Sequence, residues 1–493
     1  MREMIVGCLA VLMVFAIGVG VNQSRSNADA WTVEGDFVEF YTAGRILNDH
    51  HGDRLYDLAL QEQINHELVP GETSLKLPFL YAPFLAGLFR PLALHATGAQ
   101  TGSELAAKLG VAFGVIEPCI DVLKRDRHCE FAGGALAPQS YVYRLTEAGH
   151  VRASDATEGN QYIGHLPVPL RQYTAYMSAF HKAAAPQVTR QAVRAAFKHL
   201  VLSDRVLDQL GPAIASRHSL FLYGPPGNGK TKIAQTIGLL LPGEIAIPRA
   251  IAVERDVIRI FDPINHQMLD EGDAVKTLAY GVQRDNRWVR CRRPVVTVGG
   301  ELTLDSLELG FLASNGFYRA PLQTLANGGV LVIDDFGRQR STPAEILNRW
   351  IVPLESRVDH LVLQSGQKFE MPFETLIVFS TNLNPLDLLD ESFSRRIRYK
   401  VYAASPSRDD FINIFARCCE ERGLLFDRAV VESLIATELE PRHVQLRGCQ
   451  PRDLIEHALS LAAYIEHPSE LSPELLSAAC ATYFLSTAPS TER

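Results

Sequence analysis

Hydrophobic positions follow two rhythms along this chain. In the second half, short unbroken apolar runs recur: Ser219-Leu220-Phe221-Leu222-Tyr223, Val330-Leu331-Val332-Ile333 and Leu376-Ile377-Val378-Phe379. Runs of β-formers with no polar alternation predict strands buried on both faces, as in a parallel sheet between helices. Lys232 to Leu241 reads as a helix following the first run. Asp359 to Leu363 and Lys368 to Met371 alternate about Gln364-Ser365-Gly366-Gln367, which predicts a hairpin just before the third run.

Upstream, Thr101 to Gly110 reads as a short capped helix closed by glycine. Val115 to Arg127 carries Ile116, Ile120 and Leu123 at helical spacing, and His128 to Phe131 and Tyr141 to Leu145 read as strands around Gly133-Gly134. Helix, turn, helix and a two-stranded wing is the winged-helix order. The second helix sets Glu117 and Asp121 beside Lys124, Arg125 and Arg127. That mixed face argues against strong binding to a phosphate backbone and favours protein docking or regulation over DNA contact. Arg171 to Leu200 is an amphipathic connector broken at Pro186. The expected division is therefore 1–95, a membrane-anchor segment; 98–153, winged-helix-like; 154–200, connector; and 201–404, an α/β core, with 405–485 following it as a further region.

Composition changes this picture little. The 493 residues carry a net charge of −8, with ordinary apolar and charged fractions, so no global basic field draws nucleic acid. The 8 cysteines form no C-x-x-C pair or Cys/His cluster, which argues against a structural zinc site. Cys418 and Cys419 are adjacent and read as free thiols in a reducing compartment. Met4 to Val21 is uncharged and long enough to span a bilayer, and Ala28-Asp29-Ala30 has the form of a signal-peptidase site. The expectation is a cytoplasmic second half held at the inner membrane, either by an anchor with its amino end outside or by a return through Leu75 to Leu94 as a re-entrant or interfacial piece.

The chemistry begins at 224–231, Gly224-Pro225-Pro226-Gly227-Asn228-Gly229-Lys230-Thr231, between a strand and a helix. Backbone N–H groups of such a loop surround a phosphate chain, and its glycines permit positive φ. Lys230 is expected on the β- and γ-phosphates and Thr231 on Mg²⁺. Asp334-Asp335 ends the second apolar run. Asp334 is expected to hold Mg²⁺ through water, and Asp335 to orient the attacking water. Asn382, at the tip of the third run, is placed to hydrogen-bond both the γ-phosphate and that water. Asp390 to Lys400 holds the basic cluster with Arg395 and Arg396. Gly448-Cys449-Gln450-Pro451-Arg452 opens a helix with a cation in its first turn, against the helix dipole, so Arg452 is assigned to a phosphate.

These ordered motifs resemble the AAA+ ATPases across about residues 200–485. The resemblance implies an αβα phosphate-loop core with a helical lid, ATP and Mg²⁺ as cofactors, and hydrolysis. It also implies a homo-oligomer, usually a hexameric ring, in which Arg396 (Arg395 in reserve) completes a neighbour's site. Most of that family has Asp-Glu where this chain has Asp334-Asp335, which leaves slow turnover or a nucleotide-gated switch open beside hydrolysis. The hairpin before Asn382 resembles the branch holding MoxR-like chaperones and RuvB-like helicases, with a plain sheet extension as the alternative. The whole from Gly98 onward resembles bacterial chaperone-like ATPases, some linked with pilus assembly. The implied function is remodelling of a client protein; the alternative is an ATP-gated winged-helix DNA-binding regulator. The basic stretch Arg287 to Arg293 is assigned to a neighbouring subunit or to water rather than to nucleic acid. Residues 1–95, with Asp36, Phe40-Tyr41 and Leu55-Tyr56-Asp57, resemble the start of multi-pass glycosyltransferases that use polyprenyl-phosphate sugars. The further spans such an enzyme needs do not follow.

Overall fold

A computed structural model of the chain describes residues 98–134, 137–183, 188–241, 243–269, 285–388, 395–466 and 471–484. Met4 to Val21, the segment around Asp36, Leu75 to Leu94, Pro186 and Asp390 to Ser394 lie outside them. No helix among the described residues is long and apolar enough to cross a membrane. The described residues fall into two compact units. One runs up to Tyr173 with Ala250–Val257 and 285–287; the other holds Thr174–Arg249, Ile258–Leu269 and the described residues from Trp288 onward.

In the first unit, Thr101 caps the helix Gly102–Leu109 through a reciprocal bond with Glu104, and Gly110 ends it at φ 71°. The helix Phe113–Arg125 follows and buries Ile116, Ile120 and Leu123. Cys129–Gly134 pairs antiparallel with Tyr141–Leu145, and Gln100–Thr101 adds a short edge on the far side. On the second helix Lys124 pairs with Asp121 at 3.6 Å.

The second unit is built on a sheet of five parallel strands. We label β1 Leu220–Tyr223, α1 Lys230–Leu240, β2 Val295–Val298, β3 Val330–Ile333, α2 Pro343–Arg349, β4 Val358–Val362, β5 Lys368–Pro372, β6 Leu376–Thr381 and β7 Tyr399–Tyr402. The lid helices are α3 Arg408–Glu421, α4 Arg428–Leu434, α5 Gln450–Tyr464 and α6 Pro473–Tyr483. The strand order is β2-β3-β6-β1-β7, with every neighbouring pair parallel. The period-2 pleat sorts the apolar runs onto two faces. Leu220, Leu222, Val330, Val332, Leu376 and Val378 pack on one side with Ile233 and Ile237 of α1. On the other side Phe221 stacks on Phe379 at 4.9 Å, with Phe336 and Trp350 against the same ring. Both faces are covered, which is why the sequence shows unbroken runs there.

Around the sheet, β4 and β5 form the expected antiparallel hairpin. Its base is pinned by a buried acid: Asp359 accepts from Arg349 of α2 at 2.7 Å and from Gln323 at 2.8 Å. The lid encloses its own core around Phe411, Phe415, Leu454 and Leu476.

The basic stretch Arg287 to Arg293 divides: Arg290 and Arg292 are exposed, whereas Arg287 and Arg293 are buried. Arg287 is buried and held by Asp285. Trp288–Arg292 is a strand paired with Glu244–Pro248, and Arg290 pairs with Glu244 across it. Arg293 is buried and donates to the Gly328 carbonyl at 2.9 Å.

Sheet closure depends on Gly329, where an added Cβ would stand 2.0 Å from the Pro294 carbonyl oxygen. The atom it meets is backbone, so β2 and β3 would have to separate. Gly329→Ala is expected to cost about 2 kcal/mol or more, read as a lower denaturant midpoint for the unfolding of this unit.

Candidate functional site

The site forms at the carboxyl ends of β1, β3 and β6, which bring together loops distant in sequence. The phosphate loop leaves β1 and enters α1 through Gly229, at φ 73°. Gly229 offers no side-chain cap, so the first-turn N–H groups of α1 remain available to an anion. Gly224 and Gly227 also take positive φ, at 142° and 80°. Pro226 and Gly229 are exposed, whereas Gly224 and Lys230 are buried.

Lys230 is the centre of the arrangement. Its Nζ donates to the Gly224 carbonyl at 2.9 Å, the Pro225 carbonyl at 2.8 Å and the Asn382 side-chain oxygen at 2.6 Å. All three acceptors are neutral. Burial lowers the amine's pKa, and the nearby Asp335 and Asp334 carboxylates act in the opposite direction. Asn382 in turn donates to Asp335 Oδ1 at 3.1 Å, so lysine, amide and acid form one hydrogen-bonded chain.

Thr231 and Asp334 are joined directly, Oγ1 donating to Oδ2 at 2.7 Å. The other carboxylate oxygen of Asp334 accepts from Ser380 at 2.7 Å and from the Asp335 N–H at 3.1 Å. Asp335 is exposed and has φ 48°. That left-handed conformation is tolerated better by Asp than by most side chains, a local reason for aspartate where most of the resembled family has glutamate. Gln339 donates to the carbonyls of both acids, at 2.9 and 3.1 Å, and holds the turn after β3.

The lid closes on the loop through Gly448 and Cys449, just before the helix that carries Arg452. Cys449 N–H donates to the Gly227 carbonyl at 2.7 Å, and Gly448 N–H to Asn228 Oδ1 at 3.3 Å. A Cβ on Gly227 would meet Cys449 Sγ at 2.6 Å and Arg447 Cβ at 3.7 Å. Asn228 also donates to the Ala403 carbonyl and to Ser405, both at 3.4 Å. Arg452, the cation expected on phosphate, is exposed and donates to Asp453 at 2.9 Å; Arg447 lies nearer the loop. Arg396 is mostly buried and pairs with Glu355 at 2.7 Å, while Arg395 is exposed. Neither Arg395 nor Arg396 is bonded to Lys230, Asp334 or Asp335. Ser380, Gln339 and Arg447 had no assigned role. The only sign of Ser380 was a hydroxyl near the end of an apolar run, and nothing marked the other two.

The residues present fit a magnesium–nucleoside triphosphate. A buried ammonium resting on neutral oxygens can exchange them for phosphate oxygens, an uncapped helix N-terminus faces the same loop, and Thr231 with Asp334 supplies the hard oxygen donors magnesium takes.

Strand order and this convergence define a phosphate-loop α/β core. The family model described as magnesium chelatase, subunit ChlI, matches residues 201–258, and a domain of unknown function, DUF8689, matches 407–482. No curated protein matches the chain. Among solved structures, a Thermotoga maritima RuvB variant is 14% identical with a TM-score of 0.35, over 57% of this chain and 69% of that one. NtrX from Brucella abortus, in complex with ATP, is 14% identical with a TM-score of 0.36, over 59% of this chain and 56% of that one.

Removing the ammonium leaves the fold's apolar contacts intact but takes away the loop's one buried cation. Lys230→Ala is expected to weaken nucleotide binding by roughly a hundredfold with an unchanged circular dichroism spectrum, measured by titration with a fluorescent ATP analogue.

Proposed function

We propose that this chain is an ATP-hydrolysing AAA+ ATPase that assembles into a ring, hexameric in form, and remodels a client protein. The observation that supports it best is the bonded chain Lys230–Asn382–Asp335 beside the Thr231–Asp334 pair. It joins three strand ends into one arrangement with a cation, a metal-binding edge and an exposed carboxylate. Bound Mg·ATP supplies the transferable γ-phosphoryl group and the charge-neutralising metal. Lys230 binds phosphate oxygens, and Thr231 and Asp334 hold the metal's shell. Asp335, exposed and oriented by Asn382, takes a hydrogen bond from the attacking water and aligns it. The glycine loop and the first turn of α1 cradle the phosphates, with Arg452 or Arg447 reaching them from the lid.

Lid movement follows from the Cys449–Gly227 and Gly448–Asn228 contacts, because phosphates entering the loop load the same backbone that carries the lid. The hairpin β4–β5 is tied through Asp359 and Arg349 to α2, which follows the two acids, so it is the element we assign to the client. The hairpin before Asn382 supports assigning the chain to a MoxR/RuvB-like branch. Residues 98–153 act as a winged-helix docking module for protein; the Asp121–Lys124 pair on the second helix spends one of its cations internally and argues against DNA. Residues 4–21 anchor the chain at the inner membrane, with the ATPase region cytoplasmic.

In the ring, the exposed Arg395 is the better placed to reach a neighbour, and Arg396 braces it through Glu355. Asp335→Asn is expected to keep ATP affinity and to lower turnover by roughly a hundredfold or more. Arg395→Ala is expected to lower turnover by about as much without weakening binding. Phosphate release and mass in the presence of nucleotide check both. Undiminished turnover in Asp335→Asn, or a monomer that hydrolyses at full rate, would contradict the reading.

A further inference from the structure

The lid's chain meets the phosphate loop at two places far apart in sequence. One is the exit from β7, where Ala403 and Ser405 lead into α3. The other is Gly448 and Cys449, which lead into α5. The loop lies against both. A Cβ on Gly224 would stand 2.5 Å from the Ala403 carbonyl oxygen, and a Cβ on Gly448 would stand 3.3 Å from the Gly227 carbonyl oxygen. On each side, a missing side chain lets backbone rest on backbone.

One side chain reaches both places. Asn228 Nδ2 donates to the Ala403 carbonyl and to Ser405 Oγ, each at 3.4 Å, and its Oδ1 accepts from the Gly448 N–H at 3.3 Å. The partners fix which way the amide points. A backbone carbonyl only accepts, so Nδ2 must face Ala403. A backbone N–H only donates, so Oδ1 must face Gly448. An aspartate here would lack the donors, and an alanine would lack all three contacts. The contacts are long for hydrogen bonds, so each is weak, and together they hold the lid without locking it. A further tie, from Arg417 of α3 to the Lys198 carbonyl, passes outside the loop.

We propose that Asn228 is a positioning residue whose side chain couples occupancy of the phosphate loop to the placement of the lid. The proposal rests on the reading of 224–231 as a nucleotide site. Such a loop cradles phosphates with backbone N–H groups and Lys230, which leaves the Asn228 amide to the lid. Phosphates that draw those N–H groups inward carry the Asn228 Cα with them. The amide then pulls on the hinge at Ala403 and Ser405 and on the head of α5 together. The lid, which has its own core, turns as one body about the loop.

Hydrogen exchange on the full chain, with Mg²⁺ and a non-hydrolysable ATP analogue, tests the coupling. In the unaltered protein, saturating analogue should slow exchange at 224–231 and, by about fivefold or more, at 403–405 and 446–450. In Asn228→Ala the loop should still be protected at saturating analogue, while the slowing at both lid segments falls below about twofold. An equal lid response in the variant would overturn the proposal, as would a lid in the unaltered protein that does not respond although the loop does. Loss of loop protection in Asn228→Ala would assign the amide to the nucleotide and overturn it too. A loop left unprotected in the unaltered protein would contradict the nucleotide-site reading itself, and the proposal with it. If Asn228→Ala does not fold, Ser405→Ala decides, because it removes one partner of the same amide. The slowing at 403–405 should then lessen with loop protection kept, and an undiminished response would overturn the coupling.

Discussion

The arrangement depends on one buried ammonium. Lys230 is removed from solvent in a site whose nearest acceptors are two loop carbonyls and one amide oxygen, none of them charged. Placing a cation there is costly unless something compensates. Asp334 and Asp335 compensate at a distance, and triphosphate would do so in direct contact. The same side chain thus holds the loop in shape before nucleotide arrives and provides the electrostatic reason for nucleotide to bind. Its contact with Asn382 carries that state on to Asp335, the group placed to act on water.

Everything else in the second unit serves to bring those atoms together. The sheet needs both faces covered so that β3 and β6 run parallel and end at the same level. Their last residues then deliver Asp334, Ser380 and Asn382 to the loop after β1. Glycines set the close approaches. Gly329 lets β3 lie against the chain leading into β2, and Gly227 lets the lid's Cys449 rest on the phosphate loop. The lid contacts the loop through two backbone N–H groups, that of Cys449 on the Gly227 carbonyl and that of Gly448 on the Asn228 side chain.

Much of this was legible in the sequence, for identifiable reasons. The apolar runs at 220–223, 330–333 and 376–381 are local signals, since burial on both faces leaves no polar alternation. The loop at 224–231 and the acids at 334–335 are contiguous motifs with fixed neighbours. The hairpin showed through its period-2 pattern and Gly366. What did not show were contacts between distant segments. Ser380 became meaningful only when β3 and β6 came into register, and Arg447 only when the lid folded back more than two hundred residues later onto Gly227. Within Arg287 to Arg293 the burial of Arg293 did not show, because its partner Gly328 is remote in sequence. The pairing of Arg396 with Glu355 did not show either, because the two are about forty residues apart in the chain.

The most direct test of the central claim is a structure of the full chain with Mg²⁺ and a non-hydrolysable ATP analogue. The account predicts triphosphate density within residues 224–231. Lys230 should have exchanged the Gly224 and Pro225 carbonyls for phosphate oxygens, and Thr231 and Asp334 should both face the metal. An empty loop at saturating analogue, with Lys230 still bonded to those two carbonyls, would contradict it.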